Sequence, residues 1–157
     1  PKMPKHEERL FVYKGEIIRC VDGDTVDMWV DLGFDTRVKQ RFRLYGIDTP
    51  ETRTRDPVEK KAGLLAKDRI QELLKEGQTY PIVTSKEGRG KFGRYLATIY
   101  TDESVLDPIV DWDDADISVN ERLVREDLAV KYYGQSKEDI KEARVGQYAR
   151  LKVRGLL

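Results

Sequence analysis

Hydrophobic and polar residues alternate with a period of two along much of the first fifty positions, the pattern of half-buried strands. Residues 11–21 and 25–32 read as two strands, joined by the hairpin turn Asp22-Gly23-Asp24. A second turn at Asp31-Leu32-Gly33-Phe34-Asp35 leads into a third strand over 38–47. In that strand Phe42 and Leu44 take one face and Arg41 and Arg43 the other, so strict alternation points Arg43 away from the core. The strand stops at Asp48-Thr49-Pro50, because proline cannot donate to a ladder and biases the preceding residue toward extended backbone. The period then changes. Asp56 is placed as an N-cap, Pro57 at the first helical position, and Glu59 completes an Asp-x-x-Glu capping arrangement. Val58, Ala62, Leu65, Ala66, Ile70, Leu73 and Leu74 recur along one helical face and predict core, with Gly77 as the stop. Residues 79–85 and 95–101 read as two more strands, and 117–128 as a short helix capped by Ser118. Ser136 caps a last helix reaching about Arg154, with Gly155 ending it. Successive antiparallel strands joined by tight turns predict a meander that curls into a small barrel.

Composition narrows what such a barrel could do. At 157 residues the chain is read as a polar, flexible tail over 1–10 and one domain over 11–157, with an acidic insertion at about 102–117. Hydrophobic residues are 39% and charged residues 37%, the profile of a globular chain with a heavily charged surface. No run is long and apolar enough to cross a membrane, so no membrane partner is expected. The polar start and the short apolar Leu10-Phe11-Val12-Tyr13 contain no signal-peptide core. Retention in the cytoplasm is therefore the expectation, and a mature secreted enzyme the alternative. The single cysteine, Cys20, sits in an apolar strand and predicts a small core residue. The single histidine, His6, lies in the tail, which argues against a histidine-based triad or a multi-histidine zinc site. Net charge is zero, yet it is unevenly spread. Residues 102–116 carry seven acids and no lysine or arginine, leaving the remainder at +7. A basic body of this kind suits a polyanionic substrate.

Candidate chemistry gathers at the end of the third strand. Asp24 and Asp48 both stand at strand ends, and two carboxylates with a backbone carbonyl make a hard-oxygen site suited to calcium. Each is also a common turn residue, and Asp22 competes with Asp24 as the ligand. Glu51, just past Pro50, could orient or deprotonate a water. Arg43 and Arg94 could make forked hydrogen bonds to a phosphate gaining charge; Arg43 could instead be an ion-pair partner of Asp48. Lys91 and Phe92 lie in a glycine-rich, basic linker, where charge and ring stacking would flank a polynucleotide. Tyr132 and Tyr133 could add a stacking wall. The run Asp111-Trp112-Asp113-Asp114-Ala115-Asp116 lacks the glycine and terminal glutamate of an EF-hand, so a solvated loop or a protein-contact segment is the stronger reading.

In order along the chain, Val21-Asp22-Gly23-Asp24-Thr25-Val26, Arg41-Phe42-Arg43-Leu44-Tyr45-Gly46-Ile47-Asp48-Thr49-Pro50-Glu51, Gly90-Lys91-Phe92-Gly93-Arg94 and Val119-Asn120-Glu121-Arg122-Leu123-Val124-Arg125 resemble the staphylococcal nuclease (thermonuclease) family. The resemblance covers about 11–156. It implies an α+β, mainly β fold: a five-stranded Greek-key OB-fold barrel with about three helices, matching five strands with a helix after the third. It implies a calcium-dependent endo/exonuclease that cleaves DNA and RNA with little sequence preference, leaving 3′-phosphate and 5′-hydroxyl ends. One calcium ion would be held by Asp24, Asp48 and the Thr49 carbonyl. The catalytic set would be Arg43, Glu51 and Arg94, with Lys91 and the Tyr132–Tyr133 region near the nucleotide. Three departures stand out: the acidic segment is longer than the usual connection, Asp127 replaces a frequent glycine, and Phe92 replaces a frequent tyrosine. The rival readings are a non-catalytic OB-fold nucleic-acid-binding module, or an interaction scaffold that recruits a protein partner or self-associates through 102–117.

Overall fold

The computed structural model describes residues 11–86, 94–102 and 117–157. The expected tail over 1–10, Lys91, Phe92 and nearly all of the acidic segment lie outside the described residues.

Five strands close a barrel in the order β1 (Val12–Asp22), β2 (Thr25–Asp31), β3 (Arg37–Leu44), β6 (Tyr95–Ile99), β5 (Thr79–Lys86). All neighbours are antiparallel except β3 and β6, which run parallel. A parallel pair needs a crossover, and helix α1 (Pro57–Leu73) lies on that route. This is the OB-fold expected from the sequence. Alternation fills the barrel as predicted: Val26, Met28 and Val30 face inward from β2, Phe42 and Leu44 from β3, and Ala97 and Ile99 from β6. Ala62, Ala66, Ile70 and Leu74 plug one end from α1. Burying each large aliphatic side chain is worth about 1.5–3 kcal/mol, so the barrel and its helical plug form one cooperative core.

Several local expectations are corrected. The third strand does not run through to Ile47. It breaks at Tyr45-Gly46, where Gly46 adopts φ +76°, and Ile47–Asp48 forms a separate strand, β4. β4 pairs with β7 (Val130–Lys131) in a two-stranded ribbon outside the barrel. Helix α1 ends at Leu73 with Leu74 extended, and Gly77 serves the turn beyond it rather than the helix stop. Asp56 caps α1 through Val58 N and Glu59 N, but Glu59 does not return the bond. Its carboxylate accepts instead from Thr54 Oγ1 at 3.0 Å. Val58 is largely exposed rather than core.

Two further helices complete the fold: α2 (Val119–Arg125), capped by Ser118, and α3 (Lys137–Val153), capped by Ser136. Asn120 on α2 is buried and braces the end of the barrel. Its Nδ2 donates to Tyr45 O (2.9 Å) and Ala97 O (3.0 Å), while its Oδ1 accepts from Ile99 N (3.1 Å). The bend that starts β4 is therefore fixed from α2. Asp127, standing where glycine is common, does adopt a left-handed φ of +61°. Its carboxylate accepts from Arg150 Nε at 2.7 Å, and its carbonyl from Gln147 Nε2 at 2.9 Å. Those bonds offset the roughly 1–2 kcal/mol that a side chain costs in this conformation.

Candidate active site

The site is built where β2 begins, β3 ends and β4 bends away. The register sets Thr25 opposite Arg43. That places the Asp22-Gly23-Asp24 turn beside the β3–β4 exit. Asp22 is used locally, its Oδ1 accepting from Gly23 N at 3.0 Å. Asp24 reaches across the site: its Oδ2 accepts from Thr49 N at 3.3 Å, and its Oδ1 from Thr25 Oγ1 at 3.1 Å.

Two glycines make this close approach sterically possible. A Cβ on Gly23 would stand 2.8 Å from Ala66 Cβ and 3.0 Å from Thr49 Oγ1. A Cβ on Gly63 of α1 would stand 2.7 Å from Pro50 O and 2.8 Å from Glu51 O. Without side chains at these two points, the acidic turn and the Thr49-Pro50-Glu51 backbone lie directly against α1.

Asp48 sits between two guanidiniums. Arg43 Nη2 donates to its Oδ1 at 2.9 Å. Arg144 of α3 donates through Nη2 to its Oδ2 and through Nη1 to its backbone carbonyl at 3.3 Å. The side chains of Arg43 and Arg144 are only 15% and 14% exposed, so water screens these pairs little. Arg144 Nη1 also donates to Gln147 Oε1 at 2.8 Å, and Gln147 is fully buried. A polar chain thus runs from Asp48 through Arg144 and Gln147 to Asp127. Burial pushes the Asp48 carboxyl up from its ordinary value and Asp24 adds to that, while Arg144 and Arg43 pull it down. Glu51 is exposed as a residue, yet partial desolvation and repulsion from Asp24, Asp22, Asp48 and Glu59 push its carboxyl up as well.

The other expected positions fall around the same end of the barrel. Arg43 and Leu96 are register partners, and Arg94 stands just before β6, two residues ahead of Leu96. Arg94 is exposed. Tyr132 is anchored by its amide to Gly46 O at 2.8 Å, and Arg43 Cζ lies 5.1 Å from its ring centroid. Tyr132 and Tyr133 join Arg43, Tyr45, Gly46 and Leu96 around a cleft of about 280 Å³.

The oxygen-only donor set of Asp24, Asp48 and the Thr49 carbonyl fits a hard divalent cation. Burial and repulsion from Asp24 disfavour the charged form of Asp48, a cost that a bound cation would relieve. The buried Thr49 Oγ1 has no hydrogen-bond partner among the described residues, a further oxygen at this point. Among the described residues no three His, Cys, Asp or Glu side chains converge to ligating range, so a cation here would rest on two carboxylates, backbone oxygen and solvent.

Arg144 and Gln147 were not anticipated. The signal was present in α3: Ile140, Arg144, Gln147, Tyr148 and Leu151 recur at helical spacing, and two polar members of a core-facing stripe imply buried partners.

Among the described residues no helix is long and apolar enough to cross a membrane. Comparison with known proteins matches residues 41–156 to the family described as staphylococcal nuclease homologue. The chain is similar to the SPbeta prophage-derived endonuclease YokF of Bacillus subtilis (strain 168), 32% identical over 135 residues, covering 80% of this chain and 40% of that protein. Endonuclease YncB of the same organism is 30% identical over 135 residues, covering 80% of this chain and 56% of that protein. The uncharacterized protein MJ1439 of Methanocaldococcus jannaschii is 34% identical over 110 residues, covering 59% of this chain and 50% of that protein. The chain thus spans about half the length of the relatives it matches. The matched segment takes in the Arg43–Asp48 strand end and helices α1, α2 and α3, and this chain belongs to the staphylococcal nuclease family.

Proposed function

We propose that this protein is a calcium-dependent nuclease that hydrolyses phosphodiester bonds of DNA and RNA with little sequence preference, leaving 3′-phosphate and 5′-hydroxyl ends. The observation that carries the reading is the convergence at one barrel end of Asp24, Asp48 and Glu51 with Arg43, beside the tyrosine-walled cleft. Two relatives bearing the name endonuclease support it.

In this reading Asp24 is the ligand rather than Asp22, because it bonds Thr49 N while Asp22 is occupied by its own turn. Asp24, Asp48 and the Thr49 carbonyl would hold the ion. A bound calcium ion supplies charge neutralisation at a non-bridging phosphoryl oxygen. Glu51 takes a proton from the attacking water, and its raised pKa makes its carboxylate a better base. Arg43 donates to an equatorial oxygen as charge builds there; its bond to Asp48 is made through Nη2 alone. Arg94, just before β6, would donate to the same oxygens. The water oxygen bonds to phosphorus, the P–O5′ bond breaks, and the departing 5′ oxygen takes up a proton. Tyr132 and Tyr133 wall the nucleotide, and Lys91 and Phe92 are assigned to the adjoining strand by their place in the sequence. Sequence tolerance follows, since none of these contacts reads a base edge.

The test is cleavage of single-stranded DNA and of RNA by purified protein, with calcium and with excess chelator, beside Glu51→Ala. Expected is calcium-dependent cleavage lost in the variant, with products that polynucleotide kinase labels at the 5′ end without prior dephosphorylation. Binding without cleavage in every condition would replace this reading with that of a non-catalytic OB-fold module.

A further inference from the structure

The outer face of the β2–β3 ribbon carries a feature that the catalytic chemistry does not use. The β2–β3 register puts Arg37, Lys39, Arg41 and Arg43 on one face of β3, beside Asp31, Trp29, Asp27 and Thr25 of β2. Residues two apart on a strand are about 6.8 Å apart, close to the separation of successive phosphates along a single strand. The row starts at the β2–β3 turn and ends at Arg43 in the candidate active site.

The row is only partly neutralised by its surroundings: Arg37 meets Glu16, Arg41 meets Asp27 and Arg43 meets Asp48, while Lys39 stands exposed. Asp27, buried, is shared by two arginines: Arg19 Nε reaches its Oδ2 at 3.2 Å, and Arg41 reaches Oδ1 through Nε at 2.8 Å and Oδ2 through Nη2 at 3.1 Å. One carboxylate thus fixes two guanidiniums, and the grip on Arg41 leaves its Nη1 out of that bond. Arg37 meets Glu16 through one exposed 3.4 Å contact and lies 4.6 Å over the ring of Trp29. Lys39 is exposed between them. Asp31 opposes Arg37 across the ribbon, and Asp35 lies in the turn. A surface ion-pair lattice built for stability would balance its charges, and such exposed pairs contribute little. Here four aligned cations on β3 face only two acids, Asp27 and Asp31, among their β2 partners, and an aromatic ring, Trp29, lies between those acids.

We infer that this face is a second nucleic-acid-binding surface, a track along β3 that holds the phosphates of the substrate strand beyond the scissile bond. It rests on the nuclease reading above and extends it. OB barrels present this face to oligonucleotides, which supplies the general precedent. The consequence is a dependence on substrate length: a dinucleotide fills only the cleft, whereas a twenty-nucleotide strand also lies on the track.

The test uses Arg37→Ala, Lys39→Ala and the double variant, leaving Arg41 intact because its loss would strand the buried Asp27. Fluorescence anisotropy of a labelled 20-mer oligothymidylate, in chelator so that no cleavage occurs, gives affinity against salt. Each cation removed should weaken binding several-fold at low salt and lower the slope of log K against log salt by about 0.7, the double variant by about 1.4. In calcium, kcat/KM on the 20-mer should fall several-fold while that on a dinucleotide stays unchanged, and Lys39→Arg should restore the 20-mer value. Wild-type affinity and salt slope in the double variant would overturn the track, as would equal losses on long and short substrates. Absence of cleavage by wild type on either substrate would instead remove the nuclease reading, while the anisotropy arm still decides the track.

Discussion

Arg144→Leu should weaken the fold and the site together. Leucine keeps much of the stem packing while removing every donor. Three bonds disappear: two to Asp48 and one to the fully buried Gln147 Oε1. Truncating one partner of a wholly buried pair costs about 3–5 kcal/mol. The cost here is smaller, because the Asp48 side chain is 23% exposed and keeps Arg43. A hydrogen bond to a charged group is worth about 1.5–3 kcal/mol and a stranded buried acceptor about 1–3 kcal/mol. A net loss of about 3 kcal/mol follows. For a chain of this size each kcal/mol moves Tm by about 2–4 °C, so the variant should melt about 6–12 °C lower. The assay is thermal unfolding by far-UV circular dichroism in chelator, with calorimetric calcium titration and cleavage kinetics on the same preparations. Calcium affinity should fall with stability, since Asp48 loses its tether to α3. Arg144→Lys should recover part of both, because an ammonium reaches one Asp48 oxygen but cannot fork to the carbonyl. A shift below about 2 °C with unchanged calcium affinity would refute the reasoning and reduce the clamp to a surface contact.

Gly63→Ala should cost about 1–3 kcal/mol by overpacking against the Pro50 and Glu51 carbonyls, read as a lower urea midpoint, and should lower turnover by displacing Glu51; an unchanged midpoint would show that α1 yields freely. Arg43→Ala and Arg94→Ala should each lower kcat about 10²–10³-fold, as expected for one lost transition-state donor; near-full turnover in a folded Arg94→Ala would remove that residue from the site. Asp27→Asn tests an acid whose pKa is lowered, first by the Arg41 hydrogen bond. Such a group contributes stability that is present above its unfolded pKa and lost as pH falls through its lower folded one. The gap between wild type and variant should therefore be flat near neutrality and close below about pH 4. It should be no more than about 1 kcal/mol, because both arginines are more than half exposed; a gap that widens in acid would invert the assignment.

Legibility in the sequence followed the range of the interaction. Alternation in 25–31 and 37–44, the Asp56 and Ser136 caps and the α1 stripe from Ala62 onward are set by neighbours within a few positions, and they appear as expected, while Val58 at the start of that stripe does not. The Glu59 return bond failed because Thr54 offered a nearer donor. The split of the third strand was hidden because Ile47–Asp48 pairs with residues more than eighty positions later, and no local pattern marks a two-residue strand. The motif residues around Asp48 could be read as a set, including the alternative that Arg43 pairs with Asp48, which is the pairing found. Arg144 could not be placed from spacing alone: it lies 96 residues from Asp48, and only the docking of α3 brings it there. Gly23 reads only as a turn residue and Gly63 carries no local signal, because their packing role depends on surfaces that exist only after folding.

The seam that closes the barrel has a consequence for how the molecule fails. β3 and β6 pair through Phe42 with Tyr95, Arg43 with Leu96 and Leu44 with Ala97, and beyond these Tyr45 N donates to Ala97 O at 2.9 Å and Asn120 bridges the Tyr45 and Ala97 carbonyls. The segments it joins are about fifty residues apart, so closing it carries a larger loop entropy than closing the β1–β2 hairpin. Short seams open locally before whole domains unfold. Here the opening would part the strand bearing Arg43 from the strand that Arg94 leads into, while the remaining strands and α1 keep their secondary structure. Under mild denaturant or heat, the two arginines should therefore lose their common alignment earlier than the far-UV signal falls. Amides along 42–44 and 95–97 should exchange with solvent sooner than those of the β1–β2 ladder. On the proposed function, cleavage would then fall with the closure of this one joint, before a bulk probe of structure registers the change.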